Sequence, residues 1–162
     1  MSDNALVCLW FDGGITDAAR FYCETFPNTF LQGSEVAPEG VPDTPEGKAY
    51  VVNLTIMGIP AMLLDGGPHF PQTEAFSFQI ATEDQAETDR LWNAIVGSGG
   101  QESQCGWCKD KWGVSWQIAP RQLTEALAGP DRDAAARVQQ AMMPMKKIDI
   151  AAIEAAFRGE AR

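Results

Sequence analysis

Positive charge is scarce in this sequence: 12 Lys and Arg stand against 22 Asp and Glu, a net charge of -10. Such a surface repels phosphate backbones and anionic lipid heads, so neither nucleic acid nor a membrane is expected as a partner. Long apolar runs are also missing. No stretch reaches the roughly 18 apolar residues that a membrane span requires. The opening residues lack the basic start and extended apolar segment of a secretion signal, so a cytoplasmic protein is expected. Cysteine is limited to Cys8, Cys23, Cys105 and Cys108. Without a secretion signal these read as reduced thiols rather than a disulfide framework. Histidine is limited to His69.

What remains has the composition of a folded globular protein, 45% hydrophobic and 21% charged, close to globular averages, and the order of its elements is that of an α+β fold. At 162 residues the chain fits one domain. Residues 5–11 form a strand pattern closed by Asp12-Gly13-Gly14, a turn signal. A helix follows, capped by Thr16 or Asp17, with Ala18, Phe21, Tyr22 and Thr25 at helical spacing and Pro27 ending it. Residues 29–36 read as a strand, 37–47 as an exposed loop, and 50–57 with 61–64 as a hairpin turned by Gly58-Ile59-Pro60.

The same order then restarts. Residues 76–81 form a strand, Thr82 or Asp84 caps a helix with Thr88, Leu91, Trp92 and Ile95 on one face, and 101–109 pairs with 114–119. Leu9-Trp10-Phe11 corresponds to Phe78-Gln79-Ile80, and Arg20-Phe21-Tyr22 to Arg90-Leu91-Trp92. Duplication explains both matches. The expected organisation is a single domain over 1–162: one βαβββ module over about 1–68, a second over about 72–120, and a helical tail over about 121–162. In that tail Leu123, Leu127, Met142, Met143, Ile150, Ile153 and Phe157 supply an apolar surface for packing on the domain or on a second subunit.

Cys8-Leu9-Trp10-Phe11-Asp12-Gly13, Ala18-Ala19-Arg20-Phe21-Tyr22 and Phe26-Pro27-Asn28 resemble the opening of the PhnB-like branch of the vicinal oxygen chelate superfamily, which includes the glyoxalase and bleomycin-resistance proteins. Glu74-Ala75-Phe76-Ser77-Phe78, Asp89-Arg90-Leu91-Trp92, Trp116-Gln117-Ile118 and Met145-Lys146-Lys147-Ile148-Asp149 extend the resemblance over nearly the whole chain. It implies two modules forming a cupped mixed sheet, and it favours a homodimer. Members of the branch often carry the label of a demethylubiquinone methyltransferase. No Gly-rich loop suited to a methyl donor is evident here, since Asp12-Gly13-Gly14 and Asp65-Gly66-Gly67 read as turns.

In the wider superfamily each module places one metal ligand on its first strand and one on its last. Carried onto this chain, those positions are Leu6, Leu63, Ala75 and Gln117. Only Gln117 has a coordinating side chain, although Glu74 and Asp65 lie nearby. No metal and no other cofactor is therefore expected.

Strand alternation puts Phe76, Phe78 and Ile80 toward the helices and Ala75, Ser77 and Gln79 on the concave side. Val114, Trp116 and Ile118 likewise oppose Ser115 and Gln117, and Val52, Leu54 and Ile56 oppose Asn53 and Thr55. Converging neutral polar groups with apolar walls suit a small polar organic ligand. The alternative is a solvated sheet face. Trp107, Trp112 and Trp116 cluster near the last hairpin, as core or, for Trp107 and Trp112, as a stacking wall. His69 is either an exposed loop residue or a general base. Cys105-Gly106-Trp107-Cys108 has neither the helix start of a redox pair nor the second Cys/His pair of a zinc site. On one extended strand its two sulfurs would point to opposite faces. The candidate ligand-binding residues are Asn53, Thr55, His69, Ser77, Gln79, Trp107, Trp112 and Gln117. The function expected is binding of a small polar molecule without a metal. The alternative is a metal-free or atypical enzyme of the lyase, isomerase or oxygenase type, with its catalytic residues unassigned.

Overall fold

A computed structural model describes residues 5–40 and 47–160. The chain divides into two compact units, Met1–Gln72 and Thr73–Arg162, and both contain the expected βαβββ order. In the first, β1 (Val7–Phe11) and α1 (Ile15–Thr25) are followed by β2 (Phe30–Val36), β3 (Ala49–Ile56) and β4 (Ile59–Asp65). The sheet order is β1-β4-β3-β2, with β1 parallel to β4 and the other pairs antiparallel. Leu9, Phe11, Val52, Leu54, Ile56 and Leu63 are buried on the side packed by α1 through Ile15, Ala18, Ala19 and Tyr22. Neither Thr16 nor Asp17 caps α1. Gly14 is the N-cap, in a left-handed conformation without a side-chain cap, while the Gly13 amide donates to Asp65 Oδ1 at 2.9 Å. Part of the loop expected over 37–47 lies outside the described residues.

The second unit repeats this topology. β5 (Ser77–Thr82) and α2 (Gln85–Gly97) precede β6 (Gln101–Glu102), β7 (Trp107–Lys109) and β8 (Ser115–Pro120), in the order β5-β8-β7-β6 with β5 parallel to β8. Asp84, and not Thr82, caps α2 by accepting the Glu87 amide at 2.8 Å. Thr88, Leu91, Trp92 and Ile95 form its buried face as the spacing predicts. Phe76 departs from expectation. It lies ahead of β5, 41% exposed, and meets the Phe78 ring edge-on at 5.1 Å.

The strand expected over 101–109 is broken after Glu102 by a turn containing Cys105 and Gly106, both with positive φ. Gly106 is required here twice over: its φ is +82°, and a Cβ would come within 2.7 Å of the Ile118 carbonyl oxygen. The turn docks the tail, with the Cys105 and Gly106 amides each donating at 2.7 Å to the carbonyls of Met145 and Lys146. Opposite strand faces therefore do not explain the separation of the Cys105 and Cys108 thiols, because Cys105 is not on the strand. All four cysteines are unbridged.

The tail forms α3 (Arg121–Ala128), α4 (Arg132–Met142) and α5 (Ile150–Arg158). Asp131 and Asp149 cap the last two by accepting the Ala134 and Ala152 amides. Leu123, Ala126, Val138, Ile148 and Ile153 make a core of their own, and Gln85 on α2 accepts the Ile150 amide at 2.9 Å. Of the two expected uses of this apolar surface, packing on the domain or on a second subunit, the first takes up most of it. Met143 and Phe157 remain exposed.

The hairpin β7–β8 turns on Asp110, only 3% exposed. Its carboxylate accepts the Trp112 and Val114 amides and the Trp116 indole N–H, each at 3.0 Å. Asp110→Ala would leave these donors without their acceptor, and a loss of about 3 kcal/mol in urea unfolding is expected. Asp110→Asn keeps one carbonyl acceptor and should lose less. A change below about 0.5 kcal/mol for the alanine variant would contradict this role.

Burial, aided by the neighbouring Asp110 charge, pushes the Cys108 thiol from its usual 9.0 up to about 12. The unfolded chain releases this proton first, so its contribution makes stability fall as pH rises from about 9 toward 12. At pH 8 the native protein should resist iodoacetamide at Cys108 and admit it after unfolding. Mass spectrometry of the labelled peptides checks both states, and native labelling of Cys108 as fast as in urea would contradict it.

Candidate functional site

Residues paired across neighbouring strands point to the same side of a sheet, so the register fixes what each open face carries. On the side of β5, β7 and β8 away from the buried Phe78, Ile80, Trp116 and Ile118, two rows run across the strands. Gln79 pairs with Gln117, and Gln117 with Trp107. One step along, Ser77 pairs with Ser115, and Ser115 with Lys109. Gln117 Nε2 donates to Ser77 Oγ at 2.8 Å and ties the rows together. Gln79 is exposed, whereas Ser77, Trp107 and Gln117 are half-buried. Four of the residues singled out from sequence are therefore neighbours on one sheet.

Ser115 and Lys109 join them. Ser115 is 1% exposed, and its hydroxyl has no hydrogen-bond partner. A buried hydroxyl without a partner is uncommon. Lys109 Nζ lies 2.5 Å from Glu74 Oε1, and the Lys109 ammonium, donating to that carboxylate, holds Glu74 below the usual carboxylate range. Alternation already placed Ser115 beside Gln117. Pairing 101–109 with 114–119 end to end faces Lys109 with Val114, whereas the observed register faces it with Ser115.

The remaining residues singled out lie elsewhere. Trp112 sits on the hairpin turn, its ring 4.5 Å from Lys111 Nζ. Trp116 is fully buried and stacks on Phe78 at 5.0 Å. The three indoles of this hairpin thus diverge, to the open face, the turn and the core.

Asn53 and Thr55 belong to the first unit, where Thr55 Oγ1 accepts from Gln32 Nε2 at 2.9 Å and Asn53 Nδ2 reaches Glu35 Oε1 at 3.5 Å. His69 lies on an exposed turn next to Phe70. The Phe70 ring meets Trp10 edge-on at 4.9 Å, and the Trp10 indole N–H donates to the Gly67 carbonyl at 2.8 Å. Pairing of Cys8 with Met62 and of Trp10 with Leu64 puts these four on one face, together with Asn53. That face is dominated by apolar and aromatic groups.

The metal-ligand positions carried over from the superfamily need correction. Leu63 is fully buried on the α1 side, and Leu6 and Ala75 lie outside β1 and β5. In the correct register the first unit's outer and last strands offer Cys8, Trp10, Met62 and Leu64, and the second unit's offer Ser77, Gln79, Ser115 and Gln117. These sets lack the imidazoles and carboxylates that hold a catalytic divalent ion. Among the described residues no group of three His, Cys, Asp or Glu side chains is placed to hold a metal. The residues present do not fit the superfamily's metal. At the Asp12-Gly13-Gly14 turn Asp65 takes the Gly13 amide.

Comparison with known proteins agrees with the topology. The family described as 3-demethylubiquinone-9 3-methyltransferase matches residues 3–119, which span both modules and stop before the tail. A PhnB protein from Bacillus cereus is 25% identical, with a TM-score of 0.65 over 73% of this chain and 99% of that one. Protein PA1353 from Pseudomonas aeruginosa is 22% identical, with a TM-score of 0.59 over 74% of this chain and 98% of that one. The fosfomycin resistance protein FosX from Listeria monocytogenes, 12% identical, shares the fold with a TM-score of 0.51 over 77% of this chain and 98% of that one. No curated protein gives a significant match. With the repeated βαβββ topology and a family match over the greater part of its length, the chain belongs to the 3-demethylubiquinone-9 3-methyltransferase family, the PhnB-like branch of the vicinal oxygen chelate superfamily.

Proposed function

We propose that this protein binds a small polar organic molecule on the open face of its second module and does so without a divalent metal. The carrying observation is the Gln79–Gln117–Trp107 row: two neutral amides beside a half-buried indole. Amides supply donors and acceptors of fixed direction, and the indole supplies an apolar wall, so a planar or compact polar ligand is satisfied on both counts. A merely solvated sheet face needs neither a half-buried Trp107 nor a half-buried Gln117. The family description names a methyl transfer, but at the Asp12-Gly13-Gly14 turn the Gly13 amide is already taken by Asp65. Asn53, Thr55, His69 and Trp112 have no part in this row and are not needed by the proposal.

Two further features belong to it. No helix among the described residues is long and apolar enough to cross a membrane, and a cytoplasmic location is proposed. A homodimer is proposed as well. The buried tail core argues against the tail's apolar set as its contact, and sedimentation of the intact chain at twice 17.6 kDa is the expected result. A monomer at micromolar concentration would remove the homodimer.

Elemental analysis of protein purified without chelators is expected to give no near-stoichiometric zinc, nickel, manganese or iron. In two-dimensional NMR, acetamide should shift the Gln79 and Gln117 side-chain amides and the Trp107 indole N–H, and Gln117→Leu should abolish the response. A stoichiometric metal lost with Gln117→Leu, or acetamide responses confined to other surfaces, would overturn the proposal.

A further inference from the structure

We propose that the recess beside β6, β7 and β8 receives the oxyanion of a small organic acid, held by the Lys109 ammonium and the Ser115 hydroxyl after the Glu74 carboxylate gives way. This rests on the preceding reading, that the open face of the second module is a ligand face, and adds the chemical class of the ligand.

The recess has a volume of about 90 Å³ and is lined by Glu74, Gln101, Ser103, Trp107, Lys109 and Ser115 among others. It accepts a carboxylate-sized group and little more. The donors around it are suited to an anion: an ammonium, two hydroxyls and a carboxamide. Ser115 is the decisive member. Its hydroxyl is sequestered at 1% exposure and has nothing to bond, a condition that a ligand oxygen would relieve. The strand register sets Lys109 directly across from it on the same face.

Glu74 shows how such an oxygen would sit. Its Oε1 is 2.5 Å from Lys109 Nζ, but the two partners differ in freedom: the Lys109 side chain is 27% exposed and the Glu74 side chain 61%. The cation is the fixed member of the pair, and the carboxylate, which precedes β5, is the exchangeable one. Ion pairs this exposed contribute little, so exchanging one carboxylate for another costs little. The other acidic residue at the rim, Glu102, is already occupied by Lys146 Nζ at 2.6 Å. Displacing Glu74 therefore leaves Lys109 as the uncompensated charge, and it is positive. Because Ser115 and Lys109 lie one step from Gln117 and Trp107, an acid anchored in the recess has its remaining atoms beside that row.

The test titrates the intact protein with sodium acetate and, separately, sodium phosphate, against sodium chloride at matched ionic strength, following the Ser115 and Lys109 backbone amides by NMR. Saturable acetate shifts absent with chloride are expected. Glu74→Gln should tighten acetate about fivefold by removing the competitor. Lys109→Met should weaken it at least about tenfold, and Ser115→Ala should weaken it less. If Lys109→Met fails to fold, Lys109→Gln replaces it, and the gain in Glu74→Gln is a test in its own right. Preference for phosphate over acetate, with the same variant pattern, would support the oxyanion and assign it to a phosphate ester. Identical responses to acetate, phosphate and chloride in both the wild-type and Glu74→Gln proteins would overturn the proposal. If acetamide still shifted Gln117 and Trp107 in that case, the ligand face would stand and only the acid would fall. Loss of every response would overturn both.

Discussion

The carboxylate of Asp110 holds the second module's last hairpin in register. It is buried between β7 and β8 and accepts two backbone amides of the turn together with the Trp116 indole N–H. A carboxylate out of water is costly unless several donors face it, so the turn and the indole have to be where they are. Once Trp116 is committed to the core, stacked on Phe78, the pleat has no freedom left. Ser115 and Gln117 must take the opposite side, and the pairing with β7 brings Lys109 and Trp107 beside them. A slip of one residue would exchange these groups for Trp116 and Ile118. The open face is thus a consequence of how the core is anchored.

Both units share one topology, and their open faces are chemically different. The first module carries Trp10, Met62 and Leu64 where the second carries Gln79, Ser115 and Gln117. Trp10 is itself locked in place. A Cβ on Gly66 would come within 2.3 Å of the indole, the indole N–H bonds to Gly67, and the Gln72 side chain bonds to the Trp10 carbonyl. Neither face supplies the ligand set of the wider superfamily. What the second face supplies is directional hydrogen bonding, an aromatic wall and one cation whose partner is exposed.

Most of this architecture was legible from spacing. The buried face of α2 follows from Thr88, Leu91, Trp92 and Ile95. The repeat was legible from the match of Leu9-Trp10-Phe11 with Phe78-Gln79-Ile80. The errors arose where backbone conformation overrides pattern. Residues 101–109 alternate well enough for a single strand, but the positive φ of Cys105 and Gly106 breaks it so that the turn can dock residues 145 and 146. Separately, a register one residue beyond the expected hairpin faces Lys109 with Ser115. At α1 a left-handed Gly14 stands at the N-cap with no side-chain cap, and Asp65, distant in sequence, takes the Gly13 amide just before it. For the apolar tail residues, packing on the domain and on a second subunit are equally compatible with their spacing, and the structure packs most of them on one another.

Ligand chemistry is proposed for the open face of β5, β7 and β8. Crystals of the intact protein soaked with a set of small polar organic fragments test this most directly. The predicted result is fragment density against Gln79, Gln117 and Trp107, with no metal ion coordinated there. Density found only on other surfaces, such as the groove between α3 and α5 lined by Ala126, Ile153 and Phe157, or a coordinated metal on the β5–β8 face, would contradict it.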